Sequence, residues 1–430
     1  MKEFIRRIIV SVISLEAKLI LKKYRPSILL VSGSVGKTST KDALYDALKD
    51  SLFIRKSQKS FNSDIGAPLT ILGVPNGWSN PLVWLRNFLD GLLLILLRAP
   101  YPAWLIIEVG ADKPGDISQS LAWIKPNIVV LTRIPEIPVH VEFYASPEKV
   151  FQEETSPVNW MTSGTLITNA DDENMRELAV SPTVARLTYG IDHDADVRGV
   201  TIEYRPTDGS IDTHCTIEIR GSTEHMVLND VIGRGHVYAS LAALAGARAV
   251  GVDLGRALAS LASYDGPPGR MRVLPGITSC TIVDDTYNSS PAAVREAIDA
   301  CMVLKRENQR RIVMVLGDML ELGSYSVKEH EMVGEAVAGV ADVCITVGVR
   351  ARSIRDGAER AGMPETMLHS FDNSTQAADA IHSLVHAGDV ILVKGSQSIR
   401  MERVTKALMQ NPESASKLLC RQDAEWLSRA

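Results

Sequence analysis

Ser27-Ile28-Leu29-Leu30-Val31-Ser32-Gly33-Ser34-Val35-Gly36-Lys37-Thr38-Ser39 joins an apolar run to a glycine-bearing turn and then to a helical stretch from Thr38. A short Ile/Leu/Val run bounded by a turn reads as a strand buried on both faces of a mostly parallel sheet. From Gly33 to Ser39, backbone N–H groups and the start of the helix can cradle a polyphosphate. Lys37 is placed to reach the terminal phosphates and the Thr38 hydroxyl to hold Mg²⁺. The usual pattern has a glycine five positions before Gly36, where this chain has Val31. The strand-turn-helix context, rather than the pattern alone, favours nucleotide binding over a chance loop.

Further apolar runs at 104–109 and 128–132 extend an α/β core. Between 186 and 233 the texture changes to alternating strands, at 197–204 and 213–220, which predicts a small antiparallel patch elaborating the first domain. An alanine-rich helix over 235–250 follows, and then the linker Asp265-Gly266-Pro267-Pro268-Gly269. Beyond it, strands at 281–284, 311–316, 343–347 and 390–393 alternate with helical stretches, as in a doubly wound, Rossmann-like domain. The expected organisation is an N-terminal amphipathic helix (1–26), a central ATP-binding domain (27–268) and a C-terminal Rossmann-like domain (269–430).

The 430 residues are 45% hydrophobic and 23% charged with a net charge of −5, a globular composition. Mild acidity argues against a general nucleic-acid binder, which needs a basic face. Cys215, Cys280, Cys301, Cys344 and Cys420 are scattered and form no Cys-x-x-Cys pair, so they read as reduced thiols in a cytoplasmic protein, expected to be a monomer. Two apolar segments, 4–21 and 82–97, have helical periodicity. The second carries Arg86 and Asp90 and would rise only about 25 Å, short of the hydrocarbon thickness. Neither is a membrane span, and no signal-peptide cleavage pattern is present. Two readings stand for them, helices packed on the body or a peripheral surface that touches lipid.

Glu108 ends an apolar strand ahead of Gly110, which puts a carboxylate near the phosphates, where a hard cation takes oxygen ligands; the alternative is a surface salt bridge. His140 follows the next strand and is either a metal or phosphate ligand or structural. In the second domain, Asp284-Asp285-Thr286-Tyr287-Asn288 and Lys394-Gly395-Ser396 each follow a strand, the edge at which ligands bind in open α/β sheets. Two such edges facing each other describe a two-domain enzyme using ATP and Mg²⁺.

At this point the sequence resembles the Mur ligase family, in particular the MurF branch, which adds D-alanyl-D-alanine to the peptide of a cell-wall precursor. The resemblance runs from about Ile28 to Leu408. It rests on Val283 to Asn288, on Leu316-Gly317-Asp318-Met319-Leu320-Glu321-Leu322-Gly323, and on Leu392-Val393-Lys394-Gly395-Ser396. It implies that Gly33 to Ser39 bind ATP, that Glu108 and His140 hold Mg²⁺ with Thr38, and that Asn62 and 66–70 lie on the acceptor side. It also implies that Arg270 touches the nucleotide, that Asp285 and Asn288 close on ATP and the acyl phosphate, and that Lys394 and Ser396 lie near the amino substrate. The implied substrates are a small peptide precursor and an amino acid or dipeptide.

The chain departs from the family in four places. The family carries an N-terminal domain for the nucleotide-sugar end of its acceptor, and here about thirty residues precede the loop, so the resemblance does not extend to a UDP-linked acceptor. Segment 82–97 resembles an insertion. His236-Val237-Tyr238-Ala239-Ser240 stands where the family has histidine followed by asparagines. The family's carbamylated lysine falls at Glu154, beside Glu153, so that a glutamate either supplies the same charge and ligand type directly or is a surface acid on a solvated helix. Two alternatives to a peptide-precursor ligase remain: a Mur-fold ligase of a folate- or polyamide-type pathway, and a nucleotide-binding regulatory protein without turnover.

Overall fold

The computed structural model describes residues 2–58, 64–119, 121–207, 210–308 and 310–428. The described residues form two sheets, of nine and six strands. In the first, β1 (Ser27–Ser32), β2 (Ile54–Lys56), β3 (Trp104–Glu108), β4 (Ile128–Leu131), β5 (Gly164–Asn169) and β6 (Val184–Gly190) are parallel, in the order β2-β3-β1-β4-β5-β6. The sheet continues from β6 through β7 (Val197–Thr207), β8 (Ser210–Ile219) and β9 (Ser222–Leu228), an antiparallel meander that is the expected patch.

The central strand β1 is buried on both sides, as its unbroken apolar run requires. Leu29 and Val31 pack with Ala43, Leu44 and Ala47 of α2 (Lys37–Leu48) and with Leu241 and Leu244 of the helix Arg234–Val250. The two helices lie so close that a Cβ on Gly246 would overlap the Leu44 side chain. On the opposite face, Ile28 and Leu30 pack with Ile13, Ala17 and Ile20 of α1 (Lys2–Tyr24) and with Leu69 and Leu72 of α3 (Gly66–Leu72).

The segment at 82–97 forms α4 (Pro81–Leu96), begun by Pro81 after the cap Asn80, whose Oδ1 accepts from the backbone N–H of Leu82 at 3.0 Å. α1 and α4 run side by side in the same direction. Glu16 lies against Gly91 midway, and at the far end Lys23 Nζ donates to the carbonyls of Leu94 at 2.8 Å and Ile95 at 3.0 Å. Among the described residues, no helix is long and apolar enough to cross a membrane.

The second sheet has the order β10-β11-β15-β12-β13-β14, where β10 (Arg272–Pro275) is antiparallel to β11 (Thr281–Asp285). β12 (Ile312–Gly317), β13 (Val343–Val347), β14 (Leu368–Phe371) and β15 (Val390–Lys394) complete a parallel sheet with β11, and helices between successive strands cover its faces. The carboxyl ends of β11 and β15 therefore lie together, at one edge of the sheet.

Candidate active site

The loop after β1 has the backbone that its glycines predict. Gly33 and Gly36 have φ of 125° and 90°, and a Cβ on Gly33 would meet the Thr132 carbonyl oxygen at 2.5 Å. α2 starts at Lys37 with no side-chain cap and no acidic residue in its first turn, which leaves an N-terminus suited to an anion. Lys37 Nζ folds back to donate to the Gly33 carbonyl.

Glu108, at the end of β3, is 1% exposed, so it is not a surface salt-bridge residue. Its Oε1 accepts from Thr38 Oγ1 at 2.9 Å, and Lys41 Nζ stands 3.7 Å from its Oε2. That second oxygen is buried and accepts no hydrogen bond. A buried carboxylate oxygen without a donor beside a threonine hydroxyl is a donor set that fits Mg²⁺, which takes few protein ligands and completes its shell with phosphate and water oxygens. No group of three or more His, Cys, Asp or Glu converges as a ready-made metal cage among the described residues.

α5 (Pro147–Thr155) settles where the two adjacent acids point. It is not a solvated helix: Glu153 and Glu154 are both buried. Glu153 Oε1 accepts from the N–H of Ile117 at 2.8 Å and of Ser118 at 2.9 Å, and its Oε2 from Ser118 Oγ at 2.9 Å, a structural role. Glu154 instead faces the loop. Its Oε2 accepts from Ser32 Oγ at 3.1 Å and from the Gly33 N–H at 3.2 Å, and its Oε1 lies 3.6 Å from Lys37 Nζ. Burial holds the Glu154 carboxyl above the usual carboxylate range, against the opposing pull of Lys37 and those hydrogen bonds.

His140 stands at φ 65° ahead of a short 3-10 turn, with Nδ1 2.5 Å from Glu321 Oε2 and Nε2 3.6 Å from Asp112 Oδ1. Its ring nitrogens thus lie against two carboxylates, one of them from the second sheet's unit. Glu321, also left-handed at φ 63°, is held below the usual carboxylate range by the imidazole.

Asp285 and Lys394 end neighbouring strands in direct register. Lys394 Nζ donates to Asp285 Oδ2 at 2.6 Å and to the Asn288 carbonyl at 3.0 Å. Ser396 Oγ accepts from the Leu320 N–H at 2.9 Å, which ties the loop after β15 to the loop after β12. Arg270 lies over the Tyr287 ring, its guanidinium carbon 4.4 Å from the centroid.

These groups meet at one cleft of ≈ 1600 Å³. The first unit contributes Ser34, Gly36, Lys37, Thr38, Glu108 and His140 to it, and the second contributes Arg270, Tyr287, Asn288 and Gln397. A smaller cavity of ≈ 460 Å³ shares His140 and Asn288 and continues to Glu321 and Ser396. Asp285 and Lys394 lie behind the cleft wall, paired to each other. Asn62 lies outside the described residues.

His236 is buried, with Nε2 2.6 Å from the Arg270 carbonyl and Nδ1 2.9 Å from Tyr264 Oη. The carbonyl can only accept, so Nε2 carries the proton and Nδ1 accepts from the tyrosine; burial pushes this histidine down to about 4. It therefore positions the start of the second unit, while Val237 is core. Sequence reading missed the C-terminal wall of the cleft. Arg421 donates to the Tyr287 carbonyl at 2.9 Å and to Glu402, and Trp426 lines the cleft beside it. No local motif surrounds Arg421.

The Mur ligase middle domain matches residues 91–247, and the Mur ligase glutamate ligase domain matches residues 269–397. The chain is 25% identical over 399 residues to the UDP-N-acetylmuramoyl-tripeptide–D-alanyl-D-alanine ligase of Bacillus subtilis, covering 93% of this chain and 79% of that one. It is 27% identical over 393 residues to the Escherichia coli enzyme of the same name, covering 89% and 77%. Among solved structures, MurF from Thermotoga maritima in complex with ADP superposes with a TM-score of 0.74 at 24% identity, covering 94% of this chain and 84% of that chain.

Proposed function

The chain belongs to the Mur ligase family, and on that premise we propose that it is an ATP-dependent, ADP-forming ligase of MurF type. It activates the carboxylate of a cell-wall peptide precursor and joins it to the amine of an amino acid or a dipeptide such as D-alanyl-D-alanine. The carrying observation is that an uncapped helix N-terminus with the Thr38–Glu108 pair and an edge bearing Arg270, Tyr287 and Asn288 line one cleft. The proposed ATP-binding unit is 27–268 and the closing unit 269–430.

An acceptor carboxylate oxygen attacks the γ-phosphorus, the bond to the β-phosphate oxygen breaks, and ADP leaves with an acyl phosphate remaining. Lys37 turns from the Gly33 carbonyl to the phosphates and disperses the charge that develops there. Thr38 and Glu108 would hold Mg²⁺, which supplies Lewis-acid stabilisation of that charge. Glu154 is, with Glu108, the second carboxylate at the loop. His140 lies in the same cleft, and with Nδ1 held by Glu321 its Nε2 is the ring nitrogen that would enter the metal's shell. The amine then attacks the acyl carbon and expels phosphate and a proton. Ser396 and Glu321 line the smaller cavity, which is placed for the amino substrate. Asp285 orients Lys394 and, through the Asn288 carbonyl, the loop that closes on the nucleotide. Closure excludes water that would hydrolyse the acyl phosphate.

ADP release that requires both a peptide carboxylate and an amine tests this reading. ADP release with neither, or with the carboxylate alone at the full rate, refutes it. A screen of D-alanyl-D-alanine and single amino acids against peptide acceptors then identifies the pair.

A further inference from the structure

The inner face of α1 is buried through Ile13, Ala17 and Ile20, and that of α4 through Trp84, Asn87 and Gly91. Their outer faces are apolar as well. Phe4, Ile8, Val12, Leu15 and Leu19 of α1 recur every three or four residues and are exposed. Leu82, Leu85, Leu89, Leu92 and Leu96 of α4 do the same. Helix pairs on water-facing surfaces rarely leave two aliphatic stripes open together, and a contiguous apolar patch of this kind marks an interaction surface.

Charge selects the partner. Residues 4–25 and 80–98 hold eight Lys and Arg against only Glu16 and Asp90, in a chain whose net charge is −5. Glu16 is buried between the helices, Asp90 lies 3.6 Å from Arg86 and Asp64 lies 2.6 Å from Arg6, and the cations beyond these two pairs keep the rim of the patch cationic. A second copy docked on this face would bring two cationic rims together, whereas an anionic bilayer would neutralise one. Both helices are too short or too polar to span, so they would lie in the interface with basic side chains at the headgroups. The same pair also walls the active cleft: Ile5 and Ile9 of α1 and Trp84, Leu85 and Phe88 of α4 line it together with Lys37 and Thr38.

We propose that the α1–α4 face seats on an anionic phospholipid bilayer, and that the acceptor taken by the cleft is anchored in that bilayer by a lipid. The second clause rests on the ligase reading above; the first does not. With the acceptor's carboxylate at the phosphate end, an apolar carrier leaves along the Trp84–Phe88 wall towards the membrane.

The test is flotation of the full chain with phosphatidylcholine vesicles, with and without phosphatidylglycerol. The protein floats with the anionic vesicles, about tenfold less with neutral ones, and salt releases it. Leu89→Glu/Leu92→Glu, and separately Lys22→Glu/Arg98→Glu, which keeps the apolar stripe, each lower binding about tenfold. Neither changes ADP release on a water-soluble peptide acceptor. In wild type the same peptide on a lipid anchor in the vesicles is turned over faster than the free peptide, and both variants lose that advantage. A chain that stays behind with both vesicle types, or a dimer dissolved by Leu89→Glu/Leu92→Glu, overturns the bilayer assignment. Equal turnover of anchored and free peptide overturns the second clause alone. Flotation without ADP release on any acceptor refutes the ligase reading and leaves the bilayer contact standing.

Discussion

Lys394 Nζ lies 2.6 Å from Asp285 Oδ2, and neither side chain is open to solvent. The pair follows from register: β11 and β15 run parallel with these two positions opposite each other, so the last side chains of both strands converge. Removing one partner leaves a buried charge uncompensated, which costs about 3–5 kcal/mol, whereas replacing both with apolar groups costs less. Urea unfolding should show Lys394→Met and Asp285→Asn each destabilised by that order, and Lys394→Met/Asp285→Leu closer to wild type. All three should ligate poorly: the two that lack Lys394 also take the donor away from the Asn288 carbonyl, and Asp285→Asn leaves that ammonium without its carboxylate.

Lys37→Ala should abolish ATP turnover, by about 10²-fold or more if it serves charge developing in the transition state, while circular dichroism stays native. Glu108→Gln should raise the Mg²⁺ concentration needed for half-maximal ADP release, since it replaces the buried oxygen that accepts no hydrogen bond with an amide. Wild-type Mg²⁺ dependence in Glu108→Gln would remove this residue from the metal's shell.

Much of this site was legible because the chemistry sits at strand ends, where apolar runs stop. Val31 to Thr38, Glu108, and the clusters after β11 and β15 were all found in that way, and the structure places them along one cleft or just behind its wall. The strands that escaped notice, β2, β5, β6, β10 and β14 among them, lack a long apolar run. β2 is three residues, Ile54–Lys56, two of them basic, and β6 (Val184–Gly190) mixes Arg186 and Thr188 into a strand buried mainly at its ends. Their places are fixed by pairing with β3 and β5, which is tertiary information. Arg421 likewise acquires meaning only when the chain's end folds back over Tyr287. Burial of Glu154 was also invisible locally, since Phe151–Thr155 alone is compatible with a solvated helix.

Glu16 offers a pH readout of the α1–α4 pair. Its buried Oε2 accepts no hydrogen bond, and burial pushes its carboxyl up from 4.5 to about 7. The folded state therefore holds its proton more tightly than the unfolded chain does. Stability from this group is fully present below about 4.5 and is lost as pH rises through about 7. Glu16→Gln should melt like wild type near pH 4 and a few degrees higher near pH 8. Melting curves that differ by the same amount at both pH values would show that the carboxyl does not titrate in this window.

Glu154 joins stability and catalysis with opposite signs. Its carboxylate faces Gly33 and Lys37, where the family resemblance implies a carbamylated lysine, and it brings a negative oxygen ligand on a shorter arm. The backbone makes up for that reach, since α5 packs close enough for Ser32 Oγ to donate to both the Glu154 carbonyl, at 2.6 Å, and its side chain. Without nucleotide, burial raises this carboxyl, so the folded chain prefers it protonated, and stability falls as pH rises through the raised value. Binding of Mg²⁺ favours the ionised form, so kcat/KM should rise with pH along an acid limb above the usual carboxylate range. Glu154→Gln should therefore be more stable than wild type near pH 8 in the absence of nucleotide, yet lose a large factor in ligation rate together with that limb. Wild-type activity should not depend on dissolved CO₂, whereas Glu154→Lys should recover part of its activity on addition of bicarbonate. A Glu154→Gln enzyme that ligates normally, or a wild-type enzyme that fails when CO₂ is stripped from the buffer, would show that this carboxylate does not stand in for the carbamate.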